Sequence, residues 1–190
     1  MSRRSMGPVP MVFPHPVFVV GSYGPDGVPN LATASWAGIC CSRPPAVAVS
    51  FRPATLTHGN IARRGAFTLN IPSVRHAREA DLCGVLSGRA GDKFAACGLH
   101  PERAEKVDAP RVTEFPVCLE CRVLHSFELG LHTQYVGEIL DVLVDPAVLD
   151  AEGRPDMRLV APLVYSSADR SYYEVGGFVA RAFAAAKAGS

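Results

Sequence analysis

Apolar positions along this chain recur mostly at every second residue, in short runs cut by glycine and proline. Val17 to Tyr23 is one such run. It closes on Gly24-Pro-Asp-Gly27, a strong turn signal, and Asn30 to Trp36 follows as a second strand, so the two predict a hairpin. The parity of the second strand puts Asn30, Ala32, Ala34 and Trp36 on one face, with Leu31, Thr33 and Ser35 on the other. A third strand is predicted from Ala46 to Arg52, with Val47, Val49 and Phe51 as its core stripe and Ala46, Ala48, Ser50 and Arg52 opposite. Thr57 is expected to cap a short helix from His58 to Arg64, with Gly65 as its stop. Ala66 to Ile71 returns to a strand, Phe67, Leu69 and Ile71 inward and Thr68 and Asn70 opposite.

Arg75 to Cys83 and Asp92 to Ala96 read as short helices around a glycine-rich loop, Gly84 to Gly91. Two long β runs follow, Val117 to His125 and Thr133 to Val144, joined through Glu128-Leu-Gly-Leu-His132. Pro146 and Pro155 bound a loop, and the alanine-rich tail from Phe178 is expected to be a terminal helix. Hairpins outnumber any β-α-β alternation. The prediction is a mostly β, largely antiparallel barrel of six or seven strands with helical insertions, in a single domain spanning residues 1–190.

Composition changes this picture little but narrows the function. With 190 residues the chain can bury a core without disulfides or metal. A formal charge of +1 argues against an electrostatic nucleic-acid or anionic-membrane binder. No run of about 18 apolar residues is present to span a membrane. Prolines 8, 10, 14 and 16 break any signal-peptide core, so a soluble, cytoplasmic protein is expected. Six cysteines raise the question of metal or redox chemistry. Cys118 and Cys121 form a C-x-x-C, but within a strand residues three apart point to opposite faces. Cys40 and Cys41 are adjacent and split in the same way. No second C-x-x-C completes a zinc set, so six reduced thiols and no metal site are expected.

No hydrolase, P-loop, zinc-protease or dinucleotide motif is present. One constellation carries more. Ser50, Arg52, Thr55 and Thr57 lie just before a helix start, where free N–H groups, hydroxyls and a guanidinium together suit a phosphate. The same residues equally describe a capped surface helix with a solvated arginine. Trp36, the single tryptophan, stands beside small residues that leave room for a flat ligand, or is simply core. Lys93, after the glycine-rich loop, and His132, near Gly130, taken alone are surface residues.

In order and spacing these segments resemble the flavin reductase-like, FMN-binding split-barrel family over nearly the whole chain. The matching stretches are Asn30 to Trp36 with Gly38 to Pro45, Val47 to Ile61, Phe67 to Ser73, Asp92-Lys-Phe94 with Gly98-Leu99, Glu128 through His132 and Gly137 to Ile139, and Pro162 to Tyr165. The resemblance implies a homodimer of split β-barrels with FMN near the interface. By matching position, Asn30, Thr33, Ala34, Ser35 and Trp36 would line the ring. Ser50, Phe51, Arg52 and Thr57 would surround the phosphate, with Asn70 and Ser73 nearby and Thr55 as an alternate contact. Lys93, His132 and Tyr165 would complete the ring and ribityl contacts. The chemistry would then belong to the flavin, and no catalytic side chain is required. Three functions are compatible: an electron-transfer flavoprotein served by a redox partner protein, an NAD(P)H:flavin oxidoreductase that holds FMN loosely, or a non-enzymatic ligand-binding domain on the same fold.

Overall fold

The computed structural model describes residues 2–183. Its strands are β1 (His15–Pro16), β2 (Phe18–Tyr23), β3 (Pro29–Ala34), β4 (Ala37–Ser42), β5 (Pro45–Phe51), β6 (Ala66–Ile71), β7 (Pro101–Arg103), β8 (Pro110–Val112), β9 (Val117–Leu129), β10 (His132–Val144), β11 (Leu163–Ser166) and β12 (Ser171–Glu174). Its α-helices are α1 (Leu56–Arg64), α2 (Ala77–Val85), α3 (Lys93–Cys97) and α4 (Met157–Val160). Seven strands form one antiparallel sheet in the order β3-β2-β6-β9-β10-β5-β4.

That order forces closure. β3 and β4 occupy opposite edges of the sheet, yet only Ser35 and Trp36 separate them in sequence. Three extended residue steps span roughly 10 Å at most. The sheet must therefore curl until its edges approach, and the Ser50 N–H donating to the Trp36 carbonyl at 3.1 Å carries the β4–β5 ladder back to that short connection. Inside the barrel pack Val20, Ala32, Ala34, Val47, Val49, Phe51, Phe67, Leu69, Cys121 and Tyr135. A second core lies outside the wall, where α2 and α3 cover Val17, Val19 and Leu31 with Ala80, Cys83, Phe94 and Cys97. Strand β8 covers the same outer side of the wall over β6, which is why Thr68 and Asn70 are also fully buried.

The predicted hairpin β2–β3, the stripe Val47-Val49-Phe51 and strand β6 fall where the pattern placed them. Several details differ. Thr57 does not cap α1: Thr55 does, accepting the His58 N–H on its hydroxyl at 3.2 Å, and Thr57 sits buried in the first turn. Pro53 and Ala54 form the preceding turn, which starts the helix two residues sooner. Gly65 closes it in the left-handed conformation, φ 62°. β9 and β10 run unbroken to a tight turn at Gly130–Leu131, extending both predicted strands. The short strands β1, β7, β8, β11 and β12 were not legible, being two to four residues long. The predicted C-terminal helix is absent over Phe178–Phe183, and the remainder of that run, 184–190, lies outside the described residues.

Cys118 and Cys121 diverge as expected, Cys121 into the barrel and Cys118 towards Arg111. Burial pushes the Cys118 thiol up to about 12. A bulge between Ile39 and Cys41 leaves both Cys40 and Cys41 exposed rather than splitting them.

At Gly21 of β2, a Cβ would stand 2.0 Å from the Pro110 carbonyl oxygen and 2.5 Å from Thr68 Oγ1. The outer layer crosses the barrel wall here with no room for a side chain. Gly21→Ala is expected to cost on the order of 3 kcal/mol, a fall of about 6–12 °C in Tm. Thermal unfolding followed by far-UV dichroism checks it; an unchanged Tm would show that β8 is free to move away.

Candidate functional site

Where β3, the start of α1 and the α2–α3 connection meet, they enclose a cavity of about 270 Å³. Six of the sequence-predicted residues converge on it: Asn30 and Thr33 from β3, Phe51 and Arg52 from the end of β5, Thr57 from the first turn of α1, and Lys93 from the start of α3. Thr55 lines it as well.

One end is built by α1. Arg52 is exposed and has no ion-pair partner among the described residues. Its carbonyl is held by the Thr55 hydroxyl at 2.9 Å and the Thr55 N–H at 3.0 Å, which fixes the turn into the helix. Because Thr55 already caps His58 N–H, the first-turn N–H groups of Leu56 and Thr57 are left without intrahelical partners. Two bonds from β10 anchor this turn: His58 Nε2 pairs with Thr133 Oγ1 at 2.9 Å, and the Tyr135 hydroxyl donates to the His58 carbonyl at 3.1 Å. Burial holds the His58 imidazole below its ordinary pKa.

The middle is built by Asn30. Its Nδ2 donates to Thr57 Oγ1 at 2.8 Å, tying β3 to α1. Its Oδ1 is buried and has no donor. An orphaned buried amide oxygen costs roughly 1–3 kcal/mol. The backbone of Gly88 closes over it so tightly that a Cβ there would meet Oδ1 at 2.2 Å.

The other end is built by Lys93. The side chain is 6% exposed, and its ammonium donates to the Cys83 carbonyl at 2.8 Å. No carboxylate pairs with it among the described residues. Burial depresses its pKa, the expected response of a cation without an anion. Sequence taken alone put this lysine on the surface. Lys93 is the first residue of a helix capped by Asp92, whose carboxylate accepts the Ala95 N–H at 3.1 Å, and its burial follows from the packing of that helix on β3 and α2.

The other predicted residues stand elsewhere. Ser35 and Trp36 open on a second recess of about 450 Å³, beneath the N-terminal arm. Trp36 is 44% exposed and stacks at a tilt on His132, centroids 4.8 Å apart. Ala34 points into the barrel core, whereas Ser50, on the other face of β5, pairs with Gln134 and donates its N–H to the Trp36 carbonyl. Asn70 gives its amide to the Val19 carbonyl and Thr68 Oγ1 and accepts the Val112 N–H, all protein groups. Ser73 pairs with His76 Nδ1 at 3.3 Å. Tyr165 stacks with His15 and Tyr172 beside β1. Cys83, Gly84 and Gly88 also line the cavity; the two glycines belong to the glycine-rich run seen in the sequence but were not assigned to the site, and nothing in its local sequence sets Cys83 apart.

A strip of hydroxyls and free N–H groups at one end, an orphaned acceptor in the middle and an unpaired cation at the other define a cavity for an elongated, anionic, hydrogen-bonding ligand. Among the described residues no cluster of three metal-ligating side chains occurs, and no helix is long and apolar enough to cross a membrane. The flavin reductase like domain matches residues 11–176, and the chain belongs to that family. The flavoredoxin of Desulfovibrio vulgaris (Miyazaki F) is 48% identical, with a TM-score of 0.93 over 97% of this chain and 100% of that one. Flavoredoxin from Methanosarcina acetivorans is 26% identical, with a TM-score of 0.92 over 99% of each chain. The reductase component of the 4-nitrophenol 4-monooxygenase/4-nitrocatechol 2-monooxygenase of Rhodococcus opacus is 33% identical over 116 residues, 61% of this chain and 59% of that protein.

Proposed function

We propose that this chain binds FMN in the cavity between β3, α1 and α3 and acts as a flavoredoxin-like electron carrier. The observation that carries the reading is the buried, unpaired Lys93 ammonium at one end of a cavity whose other end is the N-terminus of α1. When bound, FMN supplies one- and two-electron exchange, and its reduced ring carries negative charge. The residues would then divide the work. Arg52, the Thr57 hydroxyl and the free N–H groups of Leu56 and Thr57 hold the phosphate. Asn30 Oδ1 accepts from a donor on the ring or ribityl chain. Lys93 sets a fixed positive charge beside the ring, favouring the reduced form. Trp36 and His132, at the neighbouring recess, supply an outer aromatic wall.

At about 270 Å³ the cavity lies just below the roughly 300–1,000 Å³ usual for ligand pockets, which leaves room for a further part of the wall to come from elsewhere. A second copy of the chain is the source we propose. Edge strand β4 exposes Ile39, and the tip of the β9–β10 hairpin exposes Phe127, Leu129 and Leu131, which suits a homodimer. Gel filtration is expected to give twice the 20.2 kDa chain mass. Free thiols and the absence of a membrane-spanning helix among the described residues suit a cytoplasmic setting.

The test is the visible spectrum after desalting. A retained yellow colour, with emission of the single Trp36 quenched on FMN addition, is the expected outcome; a colourless protein that leaves Trp36 emission unchanged with FMN sinks the reading. The Rhodococcus reductase component favours a second function, direct reduction of bound flavin by NAD(P)H. Rapid anaerobic bleaching by NADH or NADPH would move the assignment from carrier to reductase.

A further inference from the structure

Cys83 and Cys97 are far apart in sequence terms for a redox motif, yet their sulfurs face each other at 3.5 Å between α2 and α3. Both are buried, at 0% and 5% exposure. Cys83 also lines the cavity, and Lys93, one helical turn before Cys97, bonds the Cys83 carbonyl with its ammonium. In α2, one turn before Cys83, Glu79 buries Oε2 without a partner. Cys83 and Lys93 thus line the cavity, and Cys97 packs directly behind Cys83 in the core between the two helices. The remaining four cysteines show no such pairing: Cys118 and Cys121 diverge, and Cys40 and Cys41 lie on an exposed edge strand.

We propose that Cys83 and Cys97 form a redox-active dithiol that exchanges two electrons with the flavin of the adjoining cavity, an inference that rests on the flavin reading above. A disulfide needs the sulfurs at about 2.05 Å, a closure of roughly 1.5 Å. Both helices are short, and the glycine-rich loop 84–91 that leaves α2 is their main connection, so a shift of that size requires no rearrangement of the barrel. The reaction balances as two thiols giving one disulfide, two electrons and two protons. The oxidised flavin takes the electron pair and the protons needed by its reduced form, and any remaining proton passes to solvent. Burial keeps the Cys83 thiol protonated at rest, while the Lys93 charge favours its thiolate. Such a pair would let one chain store four electrons, two on the flavin and two on sulfur.

The test uses full-length protein. It is oxidised with diamide, desalted, loaded with FMN and titrated anaerobically with dithionite. Aliquots are alkylated under denaturing conditions and digested, and the peptides containing Cys83 and Cys97 are sought as a linked species two mass units lighter than the sum of the free pair. The expected result is four electrons taken up per chain, with flavin absorbance partly recovering after each sub-stoichiometric addition as the linked peptide is lost. Cys97→Ser, which leaves the cavity-lining residue in place, should take up two. The proposal is overturned if wild-type protein bleaches fully at two electrons with the linked peptide intact, or if diamide never links the two cysteines. Both readouts come from wild-type protein, so they stand even where the variant fails to fold. Failure to retain FMN overturns the flavin reading itself, and peptide mapping still reports whether the sulfurs join.

Discussion

Replacing Arg52 by alanine should weaken FMN binding by about 10- to 30-fold and leave riboflavin binding unchanged. The two ligands differ only by the phosphate, so their ratio isolates what the start of α1 contributes. A charge-assisted contact to phosphate is worth about 1.5–2 kcal/mol, which converts to that factor. Arg52 is exposed, so screening keeps the figure at the low end of such contacts. Raising the salt should narrow the gap between wild type and variant for FMN alone. Fluorescence-quenching titrations with both flavins measure this. Equal losses for both flavins would place Arg52 away from the phosphate and leave the helix N-terminus without its main cation.

The second large effect is expected at Lys93, with opposite signs for stability and for binding. A buried ammonium with one carbonyl partner is expensive to keep, and replacement of a buried charge by an apolar side chain of similar length is often neutral or stabilising by about 1–4 kcal/mol. Lys93→Met should therefore raise the Tm of the flavin-free protein while it weakens FMN binding and lowers the potential of bound flavin. The pH dependence follows from the depressed pKa. Between the folded value and the ordinary 10.5, the unfolded chain binds the proton more tightly than the folded one. Stability of the flavin-free wild type should thus rise as pH climbs towards 10.5, with the penalty fully present at lower pH, and the methionine variant should lack that component. Differential scanning calorimetry across pH, with a redox titration of the loaded proteins, tests both halves. An unchanged potential together with unchanged affinity would remove Lys93 from the site; a lower Tm for the variant would show that the lysine supports the fold rather than the ligand.

Both sites bear on how far a sequence can be read. The end of the cavity built by α1 was legible because its elements are local. Strand β5 ends, Pro53 and Ala54 turn, and a hydroxyl caps the helix within six residues of Ser50. Alternation and turn residues govern such a segment without help from the rest of the chain. Even so, Thr55 and not Thr57 became the cap, because either hydroxyl satisfies a local rule and the tertiary bond from Asn30 claims Thr57. Lys93 was illegible for the opposite reason. Nothing within five residues distinguishes it from a solvated lysine; its burial comes from α3 docking against β3 and α2. The same holds for Cys83 and Cys97, fourteen positions apart and unremarkable in either helix alone.

By itself, then, the chain's alternating pattern determined the hairpins, the barrel stripe, the capped helix and the residues able to meet an anion, since each depends on backbone sterics and burial over a few neighbouring positions. Tertiary structure decided which of those residues share one cavity, that a lysine would be enclosed without a counter-charge, and that two sulfurs would face one another. Those outcomes depend on closing a sheet whose edges are two residues apart in sequence and on packing a second layer over its wall, and the cost of burying a group is defined only once its surroundings exist.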